Sequence, residues 1–382
     1  MNNQFVILTG SKNNAGDFLI KYRAKKLFES IRPYRDIIDF NAWETIDNKK
    51  LEVINQSKCL ILMGGPALQK NMYPGVYKLP KNLDEIKVPI TTMGIGWKSP
   101  RGNWKDTFQY PLSITTMKLL DRIKADGLKG SVRDFHTLNT LENKGYDNFL
   151  MTGCPAYYDL ENIEKEMQFP REIDKIAFSL GVSFVENNSM ERQIKTQILS
   201  LKERFKEKLF EVVFHHSLDK QLFMQTYGSK HRHNYRHNEF ADWLIKQKIN
   251  YIDISGSAEN LINYYSNVDL HIGYRVHAHI FMNSVKKLSL LISEDGRAKG
   301  SKSVINGMVV DGYVDTRENF IFKILNKLKF PIDRVISNKY SNPEIHKMLS
   351  YEFETKGHRS FQSSVLLKEN LVIMKLFLAS LP

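Results

Sequence analysis

"DLHIGYRVHAHIFMNS", residues 269–284, runs from a short apolar stretch through a glycine into a histidine-rich segment. "DLHIG" has the length and content of a strand, and "YRVHAHIFMNS" reads as a turn entering a helix. A strand that passes straight into a helix is the repeating unit of a parallel sheet. The same handover recurs along the chain. Further strand candidates are "QFVILTG", "RDIIDF", "CLILMGG", "PITTMGIG", "NFLMTG", "KIAFSLG", "FEVVFHH", "YIDISG" and "LSLLIS". Most are apolar on both faces, which suits strands covered by helices on each side. Segments 17–31, 113–128, 133–144, 190–209, 238–247, 259–266 and 278–287 are long enough to be the crossover helices. The pattern predicts an α/β fold of two Rossmann-like, doubly wound parallel-sheet domains with C-terminal helices.

Many of the strand candidates end in glycine, as in "ILTG", "LMGG", "MGIG", "LMTG", "SLG", "DISG" and "HIG". Glycine lets the backbone turn sharply or approach a ligand closely. Ligands of open parallel sheets bind beyond the carboxyl ends of the strands, so these ends are expected to line the site. Taken singly, each is also an ordinary turn.

A chain of 382 residues exceeds one ordinary core. The charged stretch "ENIEKEMQFPREIDK", 161–175, holds Pro170 and precedes a fresh strand, so a boundary is placed there. The expected domains are 1–165 and 166–330, with 331–382 a helical segment packing back on the first. Two cysteines, Cys59 and Cys154, point to a reducing cytosol rather than a disulfide framework. The opening "MNNQFVILTG" reads as a first strand and not a signal peptide. No apolar run approaches the ~18 residues of a membrane span. "LVIMKLFLAS" carries Lys375 and reads as an amphipathic helix. The net charge of +13 favours anionic partners, either nucleic acid, phosphorylated metabolites or an anionic membrane surface. Dispersed lysines also account for that charge as plain solubility. No recognition-helix, RNP or zinc-finger pattern is present, so nucleic acid is not an expected partner.

Several stretches could carry chemistry. "GSKNNAGDFLIKY", 10–22, follows the first strand and opens a helix whose backbone amides favour an anion. It is neither a Walker loop nor GxGxxG. Asp17 is suited to capping that helix, or to sitting near a substrate hydroxyl. Trp97, in "MGIGWKSPRG", could stack on a sugar or pack between loops. Arg133, in "SVRD", stands at a strand end where a buried guanidinium needs an anion, and pairing with Asp134 answers that need as well as a ligand would. "HRHNYRHN", 231–238, reads as a basic loop facing phosphate or solvent. It has no cysteine or carboxylate at ligand spacing, so its metal signal is weak. "SLLISEDGRAKGSKSV", 289–304, reads as a strand ending in a loop that could hold a phosphate. Arg275 and His277 fall at a strand's carboxyl end and a helix's amino end. Cations are unfavourable there, and a bound anion would offset the penalty. His279 points elsewhere on the helix and reads as a core or supporting residue.

"NAGD" (14–17), "SVRD" (131–134), "TGCPAYY" (152–158) and the Arg-x-His at 275–277 resemble, in order and spacing, the polysaccharide pyruvyl transferase family. The resemblance covers about residues 8–305. It implies a GT-B-like fold whose two halves face a central cleft, with acceptor and donor sides on the first and second domains. It also implies transfer of the pyruvyl group of phosphoenolpyruvate to a sugar hydroxyl, often as a cyclic ketal, in cell-surface or capsular polysaccharide synthesis. The family's mid-chain arginine matches Arg133. Its Arg-Leu-His donor motif matches Arg275, Val276 and His277, which would hold the phosphoenolpyruvate anion, with the histidine suited to proton transfer. Val276 departs from the family's leucine. Cys154 stands where an aspartate is common, which bears on an acceptor contact.

Phosphoenolpyruvate carries a carboxylate and a phosphate, and planar guanidinium groups bind either one bidentately. The expected donor residues are therefore Arg133, Arg275, Val276 and Lys299. His277 is the expected acid and Asp17 the expected base. Asn14, Gly16 and Trp97 are the expected acceptor residues. No metal or cofactor is required, phosphoenolpyruvate being the donor substrate. The partner would be a sugar or lipid-linked oligosaccharide reached from the cytoplasm, and basic patches are compatible with peripheral contact at the membrane's inner face. The alternative is a GT-B-type glycosyltransferase with Arg275 on the diphosphate of a nucleotide sugar. A basic nucleic-acid-binding protein is a third reading that rests on charge alone.

Overall fold

The computed structural model describes residues 3–10, 14–224, 231–316 and 335–382. Among them the chain divides into two compact units. One comprises Met1–Ser11, Leu19–Glu164 and Val365–Pro382, the other Lys12–Phe18 and Lys165–Ser364. Each unit is built on a six-stranded parallel sheet.

The first sheet contains β1 (Gln4–Thr9), β2 (Asp36–Asn41), β3 (Cys59–Leu68), β4 (Ile90–Trp97), β5 (Gly130–Val132) and β6 (Phe149–Met151), in the order β2-β1-β3-β4-β5-β6. Its helices are α1 (Ala15–Ile31), α2 (Asn48–Gln56), α3 (Trp104–Phe108), α4 (Ile114–Ala125) and α5 (Phe135–Glu142). Every residue of β4 is buried, as a central strand covered on both faces requires.

The second sheet contains β7 (Lys175–Ser179), β8 (Leu209–Phe214), β9 (Asn250–Asp253), β10 (Leu270–Gly273), β11 (Leu288–Ser293) and β12 (Met308–Asp311). Its order is β12-β11-β10-β7-β8-β9. The chain winds outward from β7 to β9, returns to the middle, and winds the other way from β10 to β12. The reversal puts a topological switch point between β7 and β10. The helices are α6 (Asn188–Arg204), α7 (Lys220–Met224), α8 (His231–Lys246), α9 (Ala258–Ser266), α10 (Val276–Ser284) and α11 (Gly296–Ile305). A small antiparallel pair, β13 (Tyr313–Asp315) and β14 (Val335–Ser337), follows. Last come α12 (Ser341–Glu354) and α13 (His358–Ala379).

The structure corrects three expectations. Residues 231–238 are not a loop but the start of α8, because Asn234, His237, Phe240, Ala241 and Leu244 recur at helical spacing on a buried face. The glycine-rich stretch after β11 is also helical. Asp295 caps it by accepting a bond from the Arg297 amide at 2.9 Å, and small residues (Gly296, Ala298, Gly300, Ser301) form the buried face. The C-terminal segment is divided: Ile345 and Leu349 of α12 join the core of the second unit, and the chain joins the first only from Val365. The division expected at 330 falls outside the described residues. Cys59 and Cys154 are both buried and are not joined in a disulfide.

Candidate active site

At the switch point of the second unit, β10 is drawn tightly against β7. Gly273 has φ 145°, and a Cβ there would come closer than 3.0 Å to the backbone and Oγ of Ser179. The close approach lets Ser179 hold the next two residues. The Tyr274 amide donates to Ser179 O at 2.9 Å, and the Arg275 amide to Ser179 Oγ at 3.0 Å.

Arg275 occupies the N-cap position of α10 with extended backbone angles. Its Nε donates to Leu180 O at 2.6 Å, and the residue is only 8% exposed. Nη2 is buried with no hydrogen-bond partner among the described residues. Burial pulls the guanidinium down to about 10, opposed by nearby Glu294, so it is still a cation at neutral pH. A buried cation at a helix N-terminus is unfavourable twice over, and an anionic ligand would offset both penalties.

The neighbouring charges are already answered. Arg297 binds Asp295 through Nε at 2.8 Å and Nη2 at 2.6 Å, and lies 3.8 Å from Glu294. Glu294 accepts the amides of Val182 at 2.8 Å and Ser183 at 2.9 Å, just beyond the end of β7. Asp17 adds to the field that holds Arg297 charged.

His277, half-buried in the first turn of α10, lies against the backbone of Gly16. Asn14 accepts a bond from the Gly16 amide at 3.2 Å and donates to the Asp17 carboxylate at 3.3 Å. The second unit thus brings Gly16, with Asn14 and Asp17 bonded around it, against His277, which follows Arg275 by two residues. A Cβ at 16 would come closer than 3.0 Å to His277 Nδ1, Cγ and Cβ. Gly16→Ala should therefore displace the imidazole and cut turnover about tenfold or more, and it should also lower the thermal midpoint, because His277 Cβ, which no rotation of the side chain moves, is among the atoms the new methyl group would meet. Melting and rate measured on one preparation check this, and unchanged turnover would show that the ring position does not matter.

The remaining expected residues are placed as follows. Val276 packs against Leu291, Ala298 and Val309. Lys299 stands on α11 with Nζ 4.6 Å from the Tyr313 ring centroid, a cation–π contact in a helix rather than a loop cation. Arg133 and Trp97 belong to the first unit. Arg133 follows β5 directly. Gly96 leaves room for its guanidinium, and Nη2 is buried with no hydrogen-bond partner among the described residues. Asp134 is 3.4 Å from Arg133 Nε but spends its other oxygen capping α5, accepting from the Thr137 amide and hydroxyl at 2.8 Å. Trp97 is wholly buried, stacked on His136 and tilted against Tyr110, so it offers no face to a sugar.

The sequence reading missed a buried file of polar groups behind Arg275. Ser179 Oγ bonds His271 Nε2 at 2.7 Å, and His271 Nδ1 bonds Ser289 Oγ at 2.7 Å. Ser289 Oγ bonds His279 Nδ1 at 2.8 Å. Ser179 also reaches Tyr265, whose hydroxyl bonds His215 Nε2 at 2.8 Å. Each hydroxyl has one proton, so donation runs one way along the whole file, and the tautomers of His279, His271 and His215 are coupled to one another. His215 and His216 follow β8, and Arg275 helps hold both histidines neutral. Two adjacent histidines closing "FEVVFHH" were the available signal.

The file makes the fold acid-sensitive. Burial pulls His279 down to about 3 and His237 to about 4, and holds His215 and His271 well below their ordinary value. Unfolded imidazoles titrate near ~6.5. Below that pH the unfolded chain binds protons that the folded chain refuses, so stability falls as pH drops from about 6.5 toward 3. The limit is ~1.4 kcal/mol per pH unit for each histidine. The thermal midpoint should be insensitive to these groups above pH ~7 and fall steadily below ~6. A midpoint unchanged down to pH ~4 would contradict the assignment.

The family model described as "Polysaccharide pyruvyl transferase" matches residues 14–281, more than half of the chain. The chain belongs to the polysaccharide pyruvyl transferase family. The matched span holds Asn14, Gly16, Asp17, Arg133, Arg275, Val276 and His277, and ends before Glu294 and Arg297. Membership makes the protein a transferase of polysaccharide biosynthesis, with a sugar as acceptor. No curated protein matches the sequence. The MnaA–UDP co-structure of S. aureus is 11% identical, with a TM-score of 0.51 over 97% of this chain and 95% of that one. The UDP-GlcNAc 2-epimerase of Methanocaldococcus jannaschii, in complex with UDP-GlcNAc and UDP, is 14% identical, with a TM-score of 0.45 over 91% and 99%. At such identities the likeness concerns the fold alone, α/β units built on parallel sheets. Among the described residues no helix is long and apolar enough to cross a membrane, and no group of three or more His, Cys, Asp or Glu is arranged to hold a metal.

Proposed function

We propose that the protein transfers the pyruvyl group of phosphoenolpyruvate to hydroxyls of a sugar, and that Arg275 and His277 act on the donor. The observation that carries this reading is the buried Nη2 of Arg275 at the switch point, without a hydrogen-bond partner among the described residues, two residues before a histidine seated on Gly16. A guanidinium suits the carboxylate or the phosphate of the donor. The sugar hydroxyl adds across C2=C3. Its oxygen bonds C2, and a proton delivered to C3 by His277 makes the methyl group. The C2–O bond to phosphate then breaks and inorganic phosphate leaves. A second hydroxyl closes the ketal at C2, and we assign Asp17 as the base that takes the proton from each attacking hydroxyl.

The direct test is phosphate release from phosphoenolpyruvate with a panel of saccharide acceptors. Acceptor-dependent release supports the reading. Release of a nucleoside diphosphate from a nucleotide sugar, with none from phosphoenolpyruvate, would replace it with glycosyl transfer.

A further inference from the structure

Trp104 is 49% exposed at the start of α3, yet its ring is held in place. It stacks on His136 with centroids 4.0 Å apart at 22°, and His136 stacks on buried Trp97 at 5.4 Å and 18°. The three rings form a pile with one indole outermost. Asn139 of α5 donates to Thr107 Oγ1 at 2.5 Å, and Thr107 donates to Trp104 O at 2.6 Å, so α3 is tied to α5 beneath the ring. The pile stands at the carboxyl ends of two parallel strands, where open sheets bind ligands. Trp97 is the last residue of β4, and His136 follows β5 by four residues. Arg133, at the same strand end, keeps a buried Nη2 with no hydrogen-bond partner among the described residues.

We propose that Trp104 is the stacking platform for a pyranose ring of the acceptor. A pyranose presents a face of C–H bonds and an edge of hydroxyls. The C–H face suits an indole that is ordered in advance, because little side-chain entropy is then lost on binding. The hydroxyl edge suits unsatisfied N–H donors such as the one Arg133 holds. A bilayer would instead favour apolar side chains free to insert; Phe108 on the same helix is 60% exposed, whereas the indole of Trp104 is fixed in a stack. The tryptophan expected at the acceptor was Trp97. The structure buries that one and brings Trp104 to the surface of the same pile.

The proposal rests on the family's sugar acceptor and not on the identity of the donor, so its test uses no donor. Saturation-transfer NMR is run with methyl pyranosides of glucose, galactose and mannose and their N-acetylamino counterparts, at millimolar concentration. The wild type is expected to saturate ring C–H protons of at least one of them. Trp104→Ala should reduce that signal several-fold, and Trp104→Phe should retain most of it. Three results would overturn the proposal: equal saturation in Trp104→Ala, no saturation of any pyranoside by the wild type, or loss of binding to phosphatidylglycerol vesicles with sugar saturation unchanged. A failure of phosphoenolpyruvate turnover would leave these outcomes untouched. Trp104→Phe keeps the question answerable should the alanine variant unfold.

Discussion

Arg275→Met is expected to lower kcat/KM for phosphoenolpyruvate about 100- to 1000-fold, as for the loss of a buried charge-assisted contact, while leaving the thermal midpoint at or above that of the wild type. The two halves of this prediction have one cause. The guanidinium is buried and cationic, and makes one protein bond through Nε, with Nη2 unpartnered among the described residues. Burying a charge that the fold only half satisfies destabilises the free protein. A methionine of similar length fills the space without a charge. It forfeits the bond to Leu180 O, worth ~1 kcal/mol, against a larger desolvation penalty. An arginine retained for structure would behave oppositely, with activity and melting temperature falling together. Rates and melting curves from the same variant therefore separate a ligand-directed arginine from a structural one.

His277→Ala is expected to cut kcat about 10²- to 10⁴-fold, the usual range for removing a general acid or base. Phosphoenolpyruvate affinity should change far less. The imidazole lies in the first turn of α10, two residues past the arginine that would anchor the donor, and the Gly16 backbone limits where it can move. Gly16→Ala should reproduce part of the loss, because its methyl group competes for the space of the ring. Single-turnover phosphate release together with equilibrium binding distinguishes the effects. A histidine that only binds would raise Kd with the chemical step unchanged. Full activity in His277→Ala would remove it from the mechanism.

The parallel sheets were legible because their strands are apolar on both faces and end in glycine. "MVVD", β12, was not recognised, being only four residues between Gly307 and Gly312. Strand order could not be read from the chain, since it depends on which crossover passes over which face. Arg275 and His277 stood out because cations at a helix start are unfavourable without a counter-ion. Glu294, Asp295 and Arg297 did not, because charges interspersed with glycine look like a solvated loop. Here Gly296 and Gly300 instead form the buried face of α11. The histidines at 231–238 suggested a loop because their polarity hid the helical spacing of Asn234, His237 and Phe240. Trp97 follows Gly96 and Trp104 stands two residues after Gly102, and only packing shows which is covered. Ser179 and His271 gave no signal, because a polar residue inside an apolar strand is informative only when its partners are known.

The central claim is that Arg275 holds an anion of phosphoenolpyruvate. Isothermal titration of the full chain with phosphoenolpyruvate, and separately with UDP-linked sugars, tests it most directly. The account predicts saturable binding of phosphoenolpyruvate at one site per chain, lost in Arg275→Met and retained in His277→Ala. Binding of a UDP-sugar with none of phosphoenolpyruvate, or phosphoenolpyruvate binding unchanged in Arg275→Met, would contradict it.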